Sequence, residues 1–184
     1  RFMQALAKKA RFHAPARFIS GIALLMLCFY FFSHVQAQTL PAGGLTVMQA
    51  GQPEAVLSPA QLAALPQHTT VTATPWTDGV KTFRGPLVSD VLKAAGVSVA
   101  PGMVAQAQAL NGYVVEIPAE DFARWPVILA FSMDGQTLTR RDKGPLWVVY
   151  PRDSDPQLKD AKYDHRWAWQ LKQISVQSVP TARQ

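Results

Sequence analysis

Cysteine is nearly absent from this 184-residue chain: the sequence contains one, Cys28, within the apolar run from Ile19 to Phe32. If that run is removed on export, the rest of the chain has no thiol, which excludes a disulfide, a thiolate nucleophile and a cysteine-bound metal. After residue 37 the only histidines are His68 and His165, which are far apart and lack paired-ligand spacing, so no zinc site is predicted. The G-x-S-x-G motif of many serine hydrolases is also missing.

The N-terminal segment has the organisation of a secretory signal peptide. Basic residues between Lys8 and Arg17 precede the apolar run, and Val35-Gln36-Ala37 follows it. This order predicts cleavage after Ala37, with a signal peptide over residues 1–37 and a single domain over residues 38–184. Since no Arg-Arg pair precedes the run, we expect a Sec-type signal and a periplasmic or secreted protein. The alternative is an uncleaved N-terminal membrane anchor, although the 14-residue run is shorter than the roughly 20 residues that a spanning helix needs.

Most of the net positive charge of the chain lies in the same segment. Residues 1–37 hold 5 of the 18 Lys and Arg residues and none of the 12 Asp and Glu residues. Residues 38–184 are left with 13 basic and 12 acidic side chains and a net charge of +1. Because no basic run remains there, we predict no nucleic-acid binding. Those 147 residues suffice for one domain with a sizeable core.

Hydrophobic patterning in the predicted domain indicates many strands and few helices. Ser58-Pro59 predicts the start of a helix that ends near Leu65, with serine as its N-cap. Gly85-Pro86 is predicted to open a second helix that ends near Gly96, and Pro118–Arg124 to form a short third one. The predicted strands are residues 45–48, 70–74, 80–83, 104–109, 113–117, 127–131, 136–139, 146–150 and 170–176.

Two dipeptides between predicted strands favour hairpin turns. Asp134-Gly135 and Asn111-Gly112 both suit the tight type I′ turn, in which both central residues have positive φ. Strands outnumber helices, and the helices do not alternate regularly with them. We therefore predict an α+β fold with mixed, mainly antiparallel β structure and short helices.

Four segments, in order along the chain, resemble the oxidoreductase molybdopterin-binding domain, the catalytic domain of the sulfite oxidase family. Phe83–Gly96 is similar to F-x-G-x-x-L-x-x-L-L…G, and Ala109–Pro118 to the family's second segment. Lys143–Pro151 is similar to G-x-P-L-R-x-V-x-P, and Arg166–Ile174 to K/R-S-x-K-W-x-x-x-I. Together they cover most of residues 68–178, the expected core of the domain. The resemblance implies this family's fold, molybdopterin as cofactor, and a place among small exported stand-alone members.

The resemblance also shows which chemistry is missing. In the family's enzymes a cysteine of the second segment ligates molybdenum, and the matching position here is Ala109, whose methyl group cannot replace a thiolate. The Ser and second Lys that help to hold the pterin and its phosphate correspond to Trp167 and Trp169. An indole offers one neutral N–H in place of a charged donor. A Sec-type signal also exports an unfolded chain, which cannot carry the cofactor with it.

Five candidate cleft residues follow from the resemblance, each with a structural alternative: Asn111, Tyr113, Arg84, Arg166 and Trp169. The asparagine suits a hairpin turn equally well, and the tyrosine suits half-buried strand packing. The arginine in the fourth segment matches a basic position of the enzymes, so it would meet an anion or else stack on an aromatic ring.

The remaining tryptophans and one acidic pair also each have a functional and a structural interpretation. Trp76, Trp125 and Trp147 would either line a pocket for an apolar or planar ligand or pack in the core. Glu120-Asp121 is expected to lie in the first turn of a helix, where the helix dipole favours acidic side chains, and not to form a catalytic pair.

Two functions follow from these observations. The one that we expect is an exported, degenerate and non-catalytic binding or interaction module without a cofactor. Its vacated cleft would take a small anionic or planar ligand, or a periplasmic or membrane partner protein. The alternative is a molybdopterin-dependent periplasmic oxidoreductase that binds the cofactor through Asn111, Arg84 and Arg166 without a cysteine ligand. No catalytic residue and no metal ligand is assigned.

Overall fold

A computed structural model describes residues 43–178 of the chain, which belong to one compact unit. The predicted signal peptide and its cleavage site after Ala37 lie outside the described residues. Within that range, no helix has the length and apolar character needed to cross a membrane.

The described residues contain eleven strands and three short α-helices. The strands are β1 (Leu45–Gln49), β2 (Ala55–Leu57), β3 (Gln67–Ala73), β4 (Val80–Pro86), β5 (Met103–Ala109), β6 (Val114–Pro118), β7 (Ile128–Ala130), β8 (Ser132–Met133), β9 (Gln136–Thr137), β10 (Trp147–Val149) and β11 (Leu171–Ser178). The helices are α1 (Pro59–Ala64), α2 (Val88–Ala94) and α3 (Asp121–Arg124). Three segments form 3₁₀ helices: Arg140–Asp142, Pro156–Lys159 and Ala161–Arg166.

The strands form three sheets. One has the order β2-β1-β11-β5-β6, a second the order β3-β4-β8-β9, and in the third β10 pairs with β7. The β1–β11 pair is parallel, and the other strand pairs among the described residues are antiparallel. This arrangement confirms the predicted α+β class with mixed, mainly antiparallel β structure.

Helix α1 begins where the sequence predicts, because Ser58 and Gln61 cap its N-terminal turn reciprocally. The Ser58 hydroxyl accepts a hydrogen bond from the Gln61 amide at 3.2 Å, and the Gln61 side chain accepts one from the Ser58 amide at 2.9 Å. This reciprocal capping box satisfies two amide groups that have no partner within the helix.

The prediction that Gly85-Pro86 opens a helix is wrong. Both residues belong to β4, and α2 starts later, at Val88. A Cβ on Gly85 would lie 1.9 Å from the carbonyl oxygen of Leu129, so glycine is needed where β4 passes close to β7. Gly96 has φ +75° and ends α2 as expected.

One hydrophobic core joins the sheets and helices, and its composition explains where a cleft forms. On β5 the buried side chains alternate as Ala105, Ala107 and Ala109, with less buried glutamines between them. These positions offer the interior only methyl groups. The largest fully buried side chains of the described residues are Trp147, Trp167, Tyr150 and Phe83. Of these four, Trp167 lies with Ala107 and Ala109 around one cleft.

Candidate functional site

A partly open cleft of about 100 Å³ lies over the end of β5, where Ala109 ends the strand. It is lined by alanines, aromatic side chains and a few polar groups: Trp76, Ala107, Ala109, Asn111, Tyr113, Val115, Asp164, His165, Trp167, Ala168 and Trp169. Ala107, Ala109 and Val115 form its apolar floor on the paired strands β5 and β6.

The rim on one side is the hairpin between β5 and β6. Asn111 Oδ1 accepts a hydrogen bond from the Tyr113 amide at 3.0 Å, so this carboxamide oxygen fixes the turn. The Tyr113 side chain is 64% exposed and stands at the mouth of the cleft. Both interpretations of Asn111 therefore apply, because this residue builds the turn and also lines the cleft.

The turn at Asn111 is not of the predicted type I′. The Gly112 amide donates to the Ala109 carbonyl at 3.0 Å, and the Ala109 amide donates to the Tyr113 carbonyl at 2.8 Å. Gly112 has φ +87°, whereas Asn111 is not among the described residues with positive φ. The loop is thus a three-residue hairpin with glycine in the left-handed position. At Asp134-Gly135 both φ values are positive, 50° and 78°, as a type I′ turn requires.

Three tryptophans form the aromatic wall of the cleft. The Trp76 ring meets Trp169 edge-on at a centroid distance of 5.1 Å and Trp167 at 6.0 Å, with interplanar angles of 70° and 61°. Trp76 is held by a short turn in which its amide donates to Thr74 Oγ1 at 3.1 Å. Its two partners come from a segment close to the C-terminus, so the wall is assembled by tertiary packing.

Backbone hydrogen bonds hold Trp167 and Trp169 in place. The Ala168 carbonyl between them accepts from the Val148 amide of β10 at 2.8 Å. The Gln170 carbonyl accepts from the Leu110 amide at 2.8 Å, which ties this segment to the β5–β6 hairpin. The two indoles line one cleft although they do not belong to a strand.

Arg166 lies in the same segment, but its head group is engaged elsewhere. Its Nη1 donates to Asp121 Oδ2 at 2.7 Å, and the Tyr150 hydroxyl donates to the same oxygen at 2.8 Å. The guanidinium also lies 4.7 Å from the centroid of the Tyr163 ring. Burial, followed by the charge of Asp121, raises the pKa of the Tyr150 hydroxyl well above its ordinary value of 10.0.

Asp121 does lie in the first turn of a helix, as expected, but the helix dipole does not account for its position. Its side chain is only 4% exposed and accepts both hydrogen bonds of this network. A buried carboxylate requires such partners, because burial without them is costly.

Lys143 lies beside the cleft, whereas Arg84 lies away from it. Lys143 Nζ lies 5.0 Å from the Trp169 ring centroid and 5.8 Å from that of Trp147, but this residue does not line the cleft. Arg84 lies within β4, opposite Thr69 on one side and Ser132 on the other. It does not line the cleft either.

The structure thus brings together Asn111, Tyr113 and Trp169 around Ala109, and it leaves Arg84 and Arg166 outside the cleft. Asp164 and His165 line the cleft although neither was predicted to do so, and Trp76 was predicted only as one of several tryptophans that would line a pocket or pack in the core. Of these, only the tryptophan carried a signal, as one of five such residues in a small domain. Among the described residues, no three His, Cys, Asp or Glu side chains are grouped so that they could hold a metal ion.

Comparisons with known proteins agree on the type of fold. The model of a family described as oxidoreductase molybdopterin binding domain matches residues 44–176. Among solved structures, the sulfane dehydrogenase SoxCD from Paracoccus pantotrophus superposes with a TM-score of 0.58 at 17% identity, over 78% of this chain and 40% of that one. The chain therefore spans less than half of that protein. No curated protein sequence matches the chain.

Proposed function

The chain belongs to the oxidoreductase molybdopterin-binding domain family, and we propose that it is an exported member that works without the cofactor, as a binding domain in the periplasm or outside the cell. The observation that carries the proposal is the position of Ala109. It lies on the floor of the cleft, facing tryptophans, where the family resemblance places a metal-ligating cysteine.

The lining residues do not fit a molybdopterin. Ala109 offers no ligand atom, and residues 43–178 contain no cysteine that could replace it. The cleft of about 100 Å³ is small beside the roughly 300–1,000 Å³ of pockets that enclose a drug-sized ligand. Neither Lys nor Arg lines it, so a pterin phosphate would meet no cationic side chain.

The two arginines that the cofactor-binding alternative requires are also placed unfavourably. Arg166 neutralises Asp121 inside the protein, and Arg84 lies on a strand away from the cleft. Moving the Arg166 head group to a ligand would leave the buried Asp121 without its cation, which is strongly unfavourable. These contacts favour a domain that binds something smaller than the cofactor.

The proposed location rests on the sequence alone. The basic N-terminus, the apolar run and Val35-Gln36-Ala37 favour export by a Sec-type route, in which the chain crosses the membrane unfolded. A periplasmic domain of this kind would bind a small ligand in the cleft. The exposed side chains of Leu110, Tyr113 and Val114 beside it offer a contact for a partner protein.

Metal analysis tests the proposal directly. The full chain is produced in a host that synthesises molybdopterin and is purified from the periplasm, and molybdenum is measured by mass spectrometry together with pterin fluorescence after denaturation. We expect a folded protein without molybdenum or pterin, while a family enzyme made in the same host contains both. Stoichiometric molybdenum and pterin in this protein would establish the oxidoreductase alternative instead.

A further inference from the structure

We propose that the cleft binds a small organic cation of the quaternary ammonium class. This proposal rests on the proposed function, because a bound pterin would fill the same space. It names the chemical class of the small ligand that the binding domain would take. It follows from three independent properties of the cleft: its aromatic walls, the charge of its lining and its size.

The walls have the geometry that a methylated ammonium requires. The Trp76 ring stands at steep angles to both Trp167 and Trp169, so these indoles form adjacent walls and not a flat stack. Tyr113 is exposed at the mouth. The face of an indole carries negative electrostatic potential and is the best aromatic partner for a cation, and such aromatic cages recognise quaternary ammonium ligands.

The charge of the lining selects a cation over an anion. Asp164 is the acidic lining residue, and one of its oxygens, Oδ1, is shielded from solvent and accepts no hydrogen bond from the described residues. Arg166, next in sequence, is neutralised by Asp121, so it does not cancel the charge of Asp164.

Lys143 shows that the same aromatic cluster already accommodates an ammonium group. Its Nζ lies near the rings of Trp169 and Trp147, and the residue does not line the cleft. A ligand cation would therefore lie on the side of Trp169 that lines the cleft. Ala107 and Ala109 add methyl groups to the same lining, which suit contact with N-methyl groups.

The size of the cleft fits a compact head group. A volume of about 100 Å³ and a partly open mouth suit a trimethylammonium group with its tail directed to solvent. They do not suit the enclosure of a larger planar molecule, for which pockets of roughly 300 Å³ or more are usual.

Binding to choline tests the inference, by calorimetry and tryptophan fluorescence on the full exported chain at pH 8. The matched probe is the neutral isostere of choline, in which a tert-butyl group replaces the trimethylammonium group, and inorganic phosphate is the anionic probe. We expect choline to bind at least about tenfold more tightly than its isostere, and phosphate not to bind. Equal binding of choline and the isostere, a preference for phosphate, or no choline binding would overturn the proposal.

Variants locate the site and separate binding from folding. Trp169→Phe keeps an aromatic ring and should weaken choline binding several-fold, and Asp164→Asn should weaken it about tenfold. Asp160→Asn is the matched control, because this carboxylate is close in sequence but does not line the cleft, and it should leave choline affinity unchanged. Equal losses in Asp160→Asn and Asp164→Asn would contradict the site.

The same preparation is analysed for molybdenum, which separates the two proposals. A metal-free, folded protein that does not prefer choline refutes only the cation site. Protein that contains stoichiometric molybdenum and pterin refutes the binding-domain function, and the cation site with it.

Discussion

Arg166 and Trp169 lie in one short segment, yet they face opposite kinds of surroundings. Arg166 donates to the buried Asp121 and stacks on Tyr163, so its charge is used inside the protein. Trp169 is partly buried, meets Trp76 edge-on and lines an open cleft. One side of the segment is polar and paired, and the other is aromatic and accessible.

A basic residue in a family segment therefore need not bind a ligand. Arg166 occupies the position at which the resemblance suggested an anion contact, but its partner is a carboxylate of the protein. The network with Asp121 and Tyr150 explains why that position is basic without any cofactor. On the aromatic side, no comparable internal contact explains why indole rings line an open cleft. We therefore assign ligand binding to that side.

Breaking the polar side should have the largest effect on stability. Asp121→Ala leaves the Arg166 guanidinium and the Tyr150 hydroxyl without their acceptor, and we expect the free energy of unfolding to fall by about 3–5 kcal/mol. Urea denaturation followed by circular dichroism measures the loss. Asp160→Ala removes an exposed capping carboxylate from the same region and should lower the free energy of unfolding much less than Asp121→Ala does. Similar losses for the two variants would show that the network is not a major source of stability.

Tyr150→Phe should have an intermediate effect that depends on pH. Near pH 7 it removes one hydrogen bond to a carboxylate, worth about 1.5–3 kcal/mol. The pKa of the Tyr150 hydroxyl is raised in the folded protein, so its contribution is complete below the ordinary tyrosine pKa of about 10 and is lost as the pH rises through the folded pKa.

The measurement is urea unfolding of both proteins between pH 7 and the alkaline limit of folding. The difference in unfolding free energy between wild type and Tyr150→Phe should shrink above about pH 10. A difference that stays constant, or grows, over that interval would contradict the assignment of a buried, protonated hydroxyl.

Changes on the aromatic side should have the smallest effect on stability. Trp169→Leu removes one edge-on aromatic contact and one cation–π contact, so we expect a loss of about 1–2 kcal/mol in unfolding free energy together with loss of choline binding. Trp167→Leu is the comparison, because that indole is fully buried and its loss should cost about 2–4 kcal/mol. Equal costs for the two substitutions would show that Trp169 contributes as much to packing as the fully buried Trp167.

Local patterns were sufficient for much of the fold. The capped start of α1 at Ser58 and the hairpin at Asp134-Gly135 were predictable because neighbouring residues determine both. β2 and the 3₁₀ segment before Trp167 were missed, since neither has a clear hydrophobic period. The prediction for Gly85 was wrong because glycine is required there by the close approach of β7, a strand that is distant in the sequence.

The candidate site was predictable only in part, for the same reason. Ala109 and Trp169 were identified through family segments, and the fold does place them at one cleft. Trp76 and Asp164 reach the cleft by tertiary packing that no local pattern indicates. Asp121 and Arg166 are 45 residues apart, so their pairing was not visible, and without it Arg166 resembled a ligand contact.

Whether the domain works without the cofactor is tested most directly by the molybdenum-to-protein ratio of the full chain, purified from the periplasm of a host that makes the cofactor. The absence of a cysteine from residues 43–178, the aromatic cleft and the internal pairing of Arg166 predict a folded protein with a ratio near zero. A ratio near one, with the pterin recovered from the denatured protein, would show instead that the domain holds the cofactor.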